Sequence, residues 1–568
     1  MKKLVSILIS VCMLMPVLTA CSSQPDTGAD KPVTDIKVII TLADDGILMD
    51  GQPVSTDSND AVYTANDIIF YLAGQGSEYG EGEAYEEHTQ EEADKHTVLY
   101  ITQPGNYIIT GTLSYGQIAV DLGKEAKNDP SAVVTLTLDN ADITCTVAPA
   151  IVCFAAYECG SKDVDTAVKD VDTSSAGFNI TLADGSVNNI NGGHVAKIYK
   201  PGTTDKQHKY DAAIESLVSL NINGTDGVLN LTSDNEGIET KLHMTINGGK
   251  ININSADDSL NAGEDYVSVI TINDGQLYAN ANNGQEGDGI DSNGWLVING
   301  GIVSAFSSEK SMDSGLDSDN GIYINGGIVY ATGSMYDTVE TENAQSVVVF
   351  SMMDRVYSNE YLVLKSSAGD SVVALNSPAA HKIIVYSSPL LTADDYTLYK
   401  AEQVTGDSLN GIYTEVDSAV GEIQMAHSGD NNGMGMRPQG GIDFGGGRPQ
   451  GGRMPEGGRP QKGDFQFDGG KMPDFTENMT APENFGGQMP QGFGGQPPQG
   501  ENFQMPEGFN GQMPESFNNQ FSQDFAGRIP QGGFANNPFE SYSPATEQST
   551  VFTFTQGLNF FSNVRKTA

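Results

Sequence analysis

Acidic side chains recur at one position of a repeated motif in the middle of the chain. The motif is a short strand centred on an apolar residue, and Asp, Glu or Asn follows that residue in successive copies. Because strand side chains alternate, an acidic residue next to an inward apolar residue points outward. This position holds Glu215, Glu239, Asn261, Asp291, Asp317 and Glu340, and a second acidic position, two residues before the apolar centre, holds Glu236, Asp258, Asp288 and Asp337. Stacked strands would place the members of each column about 4.8 Å apart.

Carboxylates at that spacing repel one another, so they need either raised pKa values or a bound cation. Calcium is the best match, because it takes about six to eight oxygen ligands and tolerates irregular geometry. The columns contain no histidine, which disfavours zinc, copper and nickel. The predicted cofactor is therefore calcium, and a hydrated acidic face without a cation is the alternative. The densest group of predicted ligands is Asp257, Asp258, Asp288, Asp291, Asp313 and Asp317, and the further predicted ligands are Glu236, Glu239, Asp337 and Glu340.

Aromatic residues in the same repeats are candidates for sugar binding. Tyr278 and Tyr330 both follow an inward-facing residue of the second strand in their repeats, so the alternation places their rings outward. Trp295 and Tyr323 are also predicted to point outward, on another face. Rings on an exposed face can stack on sugars, so we take these four as candidate carbohydrate-binding residues.

The motif belongs to a longer internal repeat. Its isoleucines, at positions 222, 246, 272, 298 and 324, are separated by 24, 26, 26 and 26 residues. Each repeat holds a strand ending in Asn-Gly or Asn-Asp, a second alternating strand, a polar loop and a short third strand. Three short strands in about 25 residues, with no room for a helix, predict one coil of a parallel β-helix. A β-propeller blade fits less well, because it needs about 40 residues and four strands, and a β-sandwich is the other alternative.

Composition narrows the class of partner. The chain has 568 residues, of which 74 are acidic and 29 basic, so its formal net charge is −45. A chain this negative repels phosphate backbones, which argues against nucleic acid as a partner. It also argues against attachment to a membrane surface through a polybasic patch.

The first residues predict export. Lys2 and Lys3 precede an apolar stretch, residues 4–18, that is too short to span a membrane. The sequence Leu18-Thr19-Ala20-Cys21 resembles the site at which bacterial lipoproteins are cleaved and lipidated. We therefore predict a signal peptide over residues 1–20, a lipid on Cys21 and a tether over residues 21–35. The protein would be held on the extracellular face of the bacterial cell membrane by that lipid alone.

Changes of composition divide the rest of the chain. The β-helix is predicted over residues 36–342, and residues 343–427 are strand-rich without the motif, which predicts a small β-domain capping the helix. Residues 428–544 are rich in Gly, Pro, Met, Gln and Phe, a composition that predicts a disordered insertion. Residues 545–568 contain a strand-like segment that is predicted to return to the capping domain.

The chain resembles a known family of bacterial surface lipoproteins. The resemblance rests on ITLADDGI at residues 40–47, GNYIITGTLS at residues 105–114, LDNADI at residues 138–143 and the coil ends of the Asp-Gly-Ile type. It implies a calcium-binding, right-handed parallel β-helix that acts as a carbohydrate-binding domain, with relatives that bind cellulose and pectic acids. The family often has Lys after the central isoleucine of a coil end, where this chain has Glu, Asp or Asn.

The function predicted from these features is non-catalytic binding of a polysaccharide, either a plant cell-wall glycan or an acidic glycan. The first alternative is a calcium-dependent pectate-type lyase, because the family fold is similar to that of such enzymes. A lyase needs a Lys or Arg base beside the calcium, and Lys241, Lys250 and Lys310 are the candidates, none of them at a repeated position. The second alternative is a calcium-dependent adhesin or wall-structural protein that uses the Gly/Pro/Met-rich tract.

Overall fold

A computed structural model describes residues 37–340, 345–432 and 548–567, and this part of the chain is almost entirely β. The predicted all-β class is confirmed. The helical segments in the described residues are short: an α-helix at Gln90–Ala93 and 3₁₀ turns at Ala126–Asn128 and Val164–Thr166. None of these described helices has the length and apolar character needed to cross a membrane. The predicted signal peptide, Cys21, the tether and residues 433–547 lie outside the described residues.

Within the described residues up to 333, parallel strands form three stacks, in which each strand pairs with the corresponding strand of the previous repeat. The repeat isoleucines lie in the first stack, where Ile222, Ile246 and Ile272 are in register. The strands of the first stack are Lys37–Leu42, Gly105–Leu113, Val134–Thr144, Phe178–Leu182, Leu220–Gly224, Met244–Ile246, Val269–Ile272, Trp295–Ile298 and Ile322–Ile324.

The second and third stacks are built in the same way. The second contains the later residues of Gly105–Leu113 and Val134–Thr144, then Val187–Gly192, Val228–Ser233, Lys250–Asn254, Gln276–Asn280, Ile302–Phe306 and Ile328–Gly333. The third contains Thr97–Ile101, Gly116–Asp121, Ile151–Ala155, Ala212–Ser216, Glu236–Thr240, Leu260–Ala262, Ile290–Ser292 and Leu316–Ser318.

Alternation along the strands explains the core. The inward residues of the second stack, such as Leu277, Val303 and Val329, are buried in one apolar cluster together with inward residues of the other two stacks. Full burial of a side chain of this size stabilises the fold by about 1.5–3 kcal/mol. One repeat cannot enclose such residues alone, so the core forms only when repeats stack. Stacking then fixes the outward residues at one strand spacing.

Glycines and asparagines make the turn between the first and second stacks alike in successive repeats. Gly275, Gly301 and Gly327 have φ values of +101°, +80° and +81°. A Cβ on Gly301 would lie 2.7 Å from the carbonyl oxygen of Gly275, so the close approach of neighbouring turns also requires glycine here. Beside them runs an asparagine ladder, in which each Nδ2 donates to the Oδ1 of the previous asparagine at 2.9–3.0 Å. The members of the ladder are Asn223, Asn247, Asn273, Asn299 and Asn325.

Antiparallel pairs occur at both ends of the stacks, so the sheets are mixed. At the start, Val62–Ala65 pairs antiparallel with Thr97–Ile101, and Lys37–Leu42 pairs antiparallel with Leu48–Met49, which in turn pairs with Gln52–Pro53. A hairpin of Val195–Tyr199 and Lys206–Tyr210 is inserted between repeats. At the end, Ile328–Gly333 pairs antiparallel with His381–Ser387, which belongs to the C-terminal domain.

The C-terminal domain is a set of mostly antiparallel strands. The last strand of the chain, Leu558–Lys566, pairs in parallel with Val347–Val356, and Phe552–Thr553 pairs antiparallel with Asp395–Ala401. The other strands are Tyr361–Ser366, Ser371–Leu375, His381–Ser387, Gln403–Leu409, Ile412–Val420, Ile423–Ala426 and Gly429–Asn432. Its core includes Phe350 and Tyr386 and continues onto the outer face of the second stack through Phe306 and Tyr330.

Candidate functional site

The outward face of the third stack carries a column of acidic residues. Glu215 is opposite Glu239, Glu239 is opposite Asn261, and the column continues through Asp291 and Asp317. This is the order that the repeat predicts, because the inward neighbours Ile214, Ile238, Leu260, Ile290 and Leu316 are all in register and buried. Side chains in this column therefore lie one strand spacing apart along the axis of the stack.

Three aspartates of adjacent repeats meet beside this column. Asp258, Asp288 and Asp291 each contribute a carboxylate oxygen, and these oxygens lie within 4.8 Å of one another. We call these residues the aspartate cluster. The backbone positions two of them, because the Asp288 N–H donates to Asp258 Oδ1 at 2.6 Å and the Ser314 N–H donates to Asp288 Oδ1 at 2.5 Å.

Burial and mutual repulsion disfavour the charged forms of this cluster. Burial raises the pKa of Asp258 well above its usual range, and the charges of Asp288 and Asp291 raise it further. Burial raises the pKa of Asp288 in the same way, with a further contribution from Asp317. The adjoining Asp257 has its pKa raised to about 6, again mainly by burial. Ionisation of these carboxyl groups therefore costs more free energy in the folded protein than it does for a carboxyl group in water.

Two other predicted ligands adjoin the cluster. Asp313 Oδ2 accepts the Gly287 N–H at 2.7 Å and the Ser311 hydroxyl at 2.5 Å, so this carboxylate also fixes the loop that precedes Asp288. Asp317 lies opposite Asp291 in the neighbouring strand, and the charges of Asp317 and Asp313 both raise the pKa of Asp288.

A second acidic group lies on the same face, nearer the start of the stack. Carboxylate oxygens of Asp211, Glu236 and Glu239 lie within 4.8 Å of one another, and all three residues are buried. Lysines accompany this group, because Lys209 Nζ is 2.7 Å from Asp211 Oδ2 and Lys241 forms ion pairs with Glu239 and with Glu215, the latter at 3.4 Å. Protein cations therefore offset part of the negative charge here.

The sequence argument missed Asp211 and Lys209, and it considered Lys241 only as a candidate lyase base. Lys241 carried a usable signal, since it lies two residues after Glu239 and alternation places both side chains on the same face. Asp211 precedes its strand, Ala212–Ser216, and Lys209 belongs to the inserted hairpin, so neither occupies a repeated position.

The predicted position of Glu340 is wrong. Val339 bridges Ile322 in the first stack, and the Glu340 N–H donates to the Ile322 carbonyl at 2.9 Å, so this segment covers the end of the first stack instead of extending the third. Asp337 does reach the third stack, where its Oδ2 accepts the Ser318 N–H at 2.9 Å. The third stack ends at Leu316–Ser318, whereas the first and second stacks continue to Ile322–Ile324 and Ile328–Gly333. The chain then crosses the end of the stacks, which the similarity of residues 337–341 to the repeated motif concealed.

The tyrosines of the second stack are not an exposed sugar platform. Tyr330 is 1% exposed, and Tyr278 is half-buried with its ring centroid 5.5 Å from that of Phe306. The alternation places both rings outside the coil core, as predicted, but the C-terminal domain packs over them. Trp295 and Tyr323 are half-buried on the outer face of the first stack, and Lys169 Nζ lies 5.1 Å from the centre of the Tyr323 ring.

The candidate lyase bases have other partners or positions. The carboxylates around Lys241 raise its pKa, which keeps this amine protonated. Lys310 Nζ donates to the Gly284 carbonyl at 2.8 Å. Lys250 lies at the glycine-rich turns between the first and second stacks.

Comparison with known proteins identifies the family. A family model described as "carbohydrate-binding domain-containing protein" matches residues 95–383, just over half of the chain. The chain belongs to this family. The matched residues include most of the three stacks, both acidic groups and the start of the C-terminal domain.

One relative carries the same description. A carbohydrate-binding domain-containing protein of Acetivibrio thermocellus is 29% identical over 153 residues, which cover 27% of this chain and 43% of the relative. This chain therefore spans less than half the length of that relative. Among solved structures, a polysaccharide lyase-like protein from C. thermocellum, determined as a gadolinium derivative, aligns with a TM-score of 0.31 and 20% identity over 52% of this chain and 90% of that chain.

Proposed function

We propose that this protein is a cell-surface lipoprotein that binds a polysaccharide without cleaving it, through a right-handed parallel β-helix stabilised by calcium. The membership of the carbohydrate-binding family is the observation that carries the proposal of polysaccharide binding. The sequence Leu18-Thr19-Ala20-Cys21 supports lipidation at Cys21 and a location on the extracellular face of the bacterial cell membrane.

The strand pairing supports the helical winding. Each of the three stacks joins strands that are one repeat apart and parallel, so the chain passes through all three stacks before it returns to the first. Crossovers between parallel strands of one sheet are right-handed in about 98% of cases, which is the reason to propose that hand.

The residues of the aspartate cluster fit a calcium ion. Their oxygens lie within 4.8 Å of one another, which is about the largest separation of two oxygens bound to one calcium at 2.3–2.6 Å. The donors are all carboxylate oxygens, the class that calcium prefers and zinc or copper does not. Asp258, Asp288 and Asp291 would hold the ion, with Asp257, Asp313 and Asp317 adjoining. The ion would supply positive charge that favours the ionised forms of these half-buried carboxyl groups.

The lysines support a binding role over lysis. Proton abstraction from a uronate needs a neutral amine beside the metal, whereas the acidic neighbours of Lys241 keep it protonated. Lys310 uses its amine to bond a backbone carbonyl. We propose that the carboxylate face contributes stability and that the sugar binds elsewhere on the protein.

A binding assay with a parallel test for cleavage decides between these functions. The full-length protein, with and without calcium, is incubated with cellulose, xylan and polygalacturonate, and the bound fraction is measured together with the ultraviolet absorbance of unsaturated products. Binding without any rise in absorbance is expected. Accumulating unsaturated product from polygalacturonate would establish the lyase instead, and failure to bind any of the three polymers would contradict the proposed function.

A further inference from the structure

A groove runs across the outer face of the first stack, away from the carboxylates of the third stack. Its floor is the row of outward residues Asn221, Thr245, Thr271 and Val297, which are opposite one another in successive strands. The loop of residues 169–174 forms one wall, and members of the asparagine ladder form the other edge. The groove has a volume of about 380 Å³.

The loop is fastened to the floor at one end of the groove. The Thr173 hydroxyl lies 2.7 Å from that of Thr245, and Asn221 Nδ2 donates to the Thr173 carbonyl at 2.8 Å. Asn221 also donates to Asn179 Oδ1 at 3.0 Å. These bonds hold the wall in place, so the groove is a preformed feature of the fold and no element has to move to create it.

Asn221 also presents an unsatisfied acceptor. This side chain is 4% exposed, and its Oδ1 has no hydrogen-bond partner among the described residues. This acceptor lies beneath the loop, out of reach of a ligand, so the groups that face a ligand are the other hydroxyls and amides that line the groove. Sugars are dense in hydroxyl groups, which both donate and accept as the neighbouring threonines and asparagines do.

An aromatic ring continues the floor. Tyr323 lies opposite Val297, so its ring follows the row by one more strand. Lys169 from the wall lies over this ring and pairs with Asp170 at 2.7 Å. Asn221, Thr245 and Val297 are buried, and the two half-buried members of the row, Thr271 and Tyr323, lie two strands apart, about 10 Å at the usual strand spacing. That length matches a short stretch of an extended sugar chain running along the axis of the stacks.

We propose that this groove binds an uncharged polysaccharide chain, and this inference rests on the proposed function. Charge selects the neutral class, because the floor carries only amides, hydroxyls and apolar groups, and Lys169 in the wall is outweighed by Asp170 and Asp172. The net charge of −45 opposes a polyuronate in the same way.

The single tryptophan gives a direct test. Trp295 lies two residues before Val297 in the same strand, so it shares the outer face of the first stack. Its fluorescence is followed while the full-length protein is titrated with neutral β-1,4-linked hexasaccharides of glucose, xylose and mannose, and separately with hexagalacturonate. At least one neutral hexasaccharide is expected to change the emission, with hexagalacturonate giving no change.

Variants locate the binding. Thr271→Arg fills the middle of the floor and is expected to weaken the neutral sugar at least about tenfold, and Tyr323→Ala removes the ring at its end with a similar loss. Thr232→Arg makes the same change at an exposed position of the second stack and is expected to alter affinity less than about twofold. Thermal melting of each variant checks that it is folded.

The outcomes separate the groove from the proposed function. Neutral binding that survives in both Thr271→Arg and Tyr323→Ala would overturn the groove while leaving polysaccharide binding intact. Binding of hexagalacturonate alone would overturn the choice of a neutral chain. If the unaltered protein binds none of these sugars and none of the insoluble polymers, the proposed function fails and the inference fails with it.

Discussion

Replacement of Asp288 by Asn tests whether the aspartate cluster is a cation site. The substitution removes one negative charge and keeps an oxygen that can accept the Ser314 N–H, which donates to Asp288 Oδ1 at 2.5 Å. Two ionised carboxylates at the cluster's limiting separation of 4.8 Å repel by about 3.5 kcal/mol at an effective dielectric of 20. Partial protonation relieves some of this repulsion, so without calcium we expect Asp288→Asn to raise the free energy of unfolding by about 1–3 kcal/mol.

Calcium should reverse the sign of this effect. A ligand that binds only the folded state adds to stability according to its affinity, and the variant has lost a charged ligand. In saturating calcium, Asp288→Asn is therefore expected to melt below the unaltered protein, and in calcium-free buffer to melt above it. For a folded part of about 400 residues, each kcal/mol corresponds to a shift of about 1 °C, so the expected shifts are a few degrees.

The assay is thermal melting of both proteins in metal-free buffer and over a calcium titration. Asp184→Asn is the control, because Asp184 is exposed and lies outside both acidic groups, so the same chemical change there should leave the calcium response unaltered. A shift of the same sign in both conditions, or a melting temperature of the unaltered protein that calcium does not move, would refute the reasoning.

Three further predictions follow from the same structure. Because the pKa of Asp288 is raised, the folded state binds a proton more tightly than the unfolded state does. In metal-free buffer the contribution of Asp288 to stability is therefore largest below pH 4 and is lost as the pH rises. The melting temperature of Asp288→Asn should exceed that of the unaltered protein by an amount that grows between pH 4 and pH 8. In urea unfolding, Gly301→Ala should lower the free energy of unfolding by more than the roughly 1–2 kcal/mol typical of a left-handed residue, because its Cβ would meet the neighbouring turn. Gly185 has a φ of +71° and nothing within 4 Å of a Cβ, so Gly185→Ala should show the left-handed conformational cost alone. Equal losses for the two variants would contradict the stacking argument. In the same assay, Tyr330→Ala should lower the free energy of unfolding by about 3–5 kcal/mol, as expected for a buried aromatic residue. Tyr85 is 83% exposed, so Tyr85→Ala should lower it little. A small loss for Tyr330→Ala would contradict the burial of Tyr330 under the C-terminal domain.

The repeat made the acidic column predictable. Alternation along a strand decides which residues face outward, and the spacing of the isoleucines decides which residues of different repeats become neighbours. These two local rules are enough to align Glu239, Asn261, Asp291 and Asp317, which the strand register then shows opposite one another. The same rules give the all-β class and the inward set of Leu277, Val303 and Val329.

These two rules could not predict contacts between parts of the chain that are distant in sequence. The alternation correctly predicted that the Tyr330 side chain points away from the apolar core inside the three stacks. That this outward side is nevertheless buried follows only from the packing of the C-terminal domain against it. Likewise, Asp337 and Glu340 follow the local pattern of a coil end, and only the pairing of Val339 with Ile322 shows that the stack has already ended.

The sequence by itself determined the strands, their inward and outward faces and the acidic column, because these depend on residue alternation and a fixed repeat length. The tertiary structure decided which outward faces remain open. It brought Lys209 and Lys241 to one acidic group, joined Asp258, Asp288 and Asp291 in another, and laid the loop of residues 169–174 along the first stack to make a groove. The physical reason is that inserted loops and the C-terminal domain follow no period, so their positions depend on packing over long sequence distances.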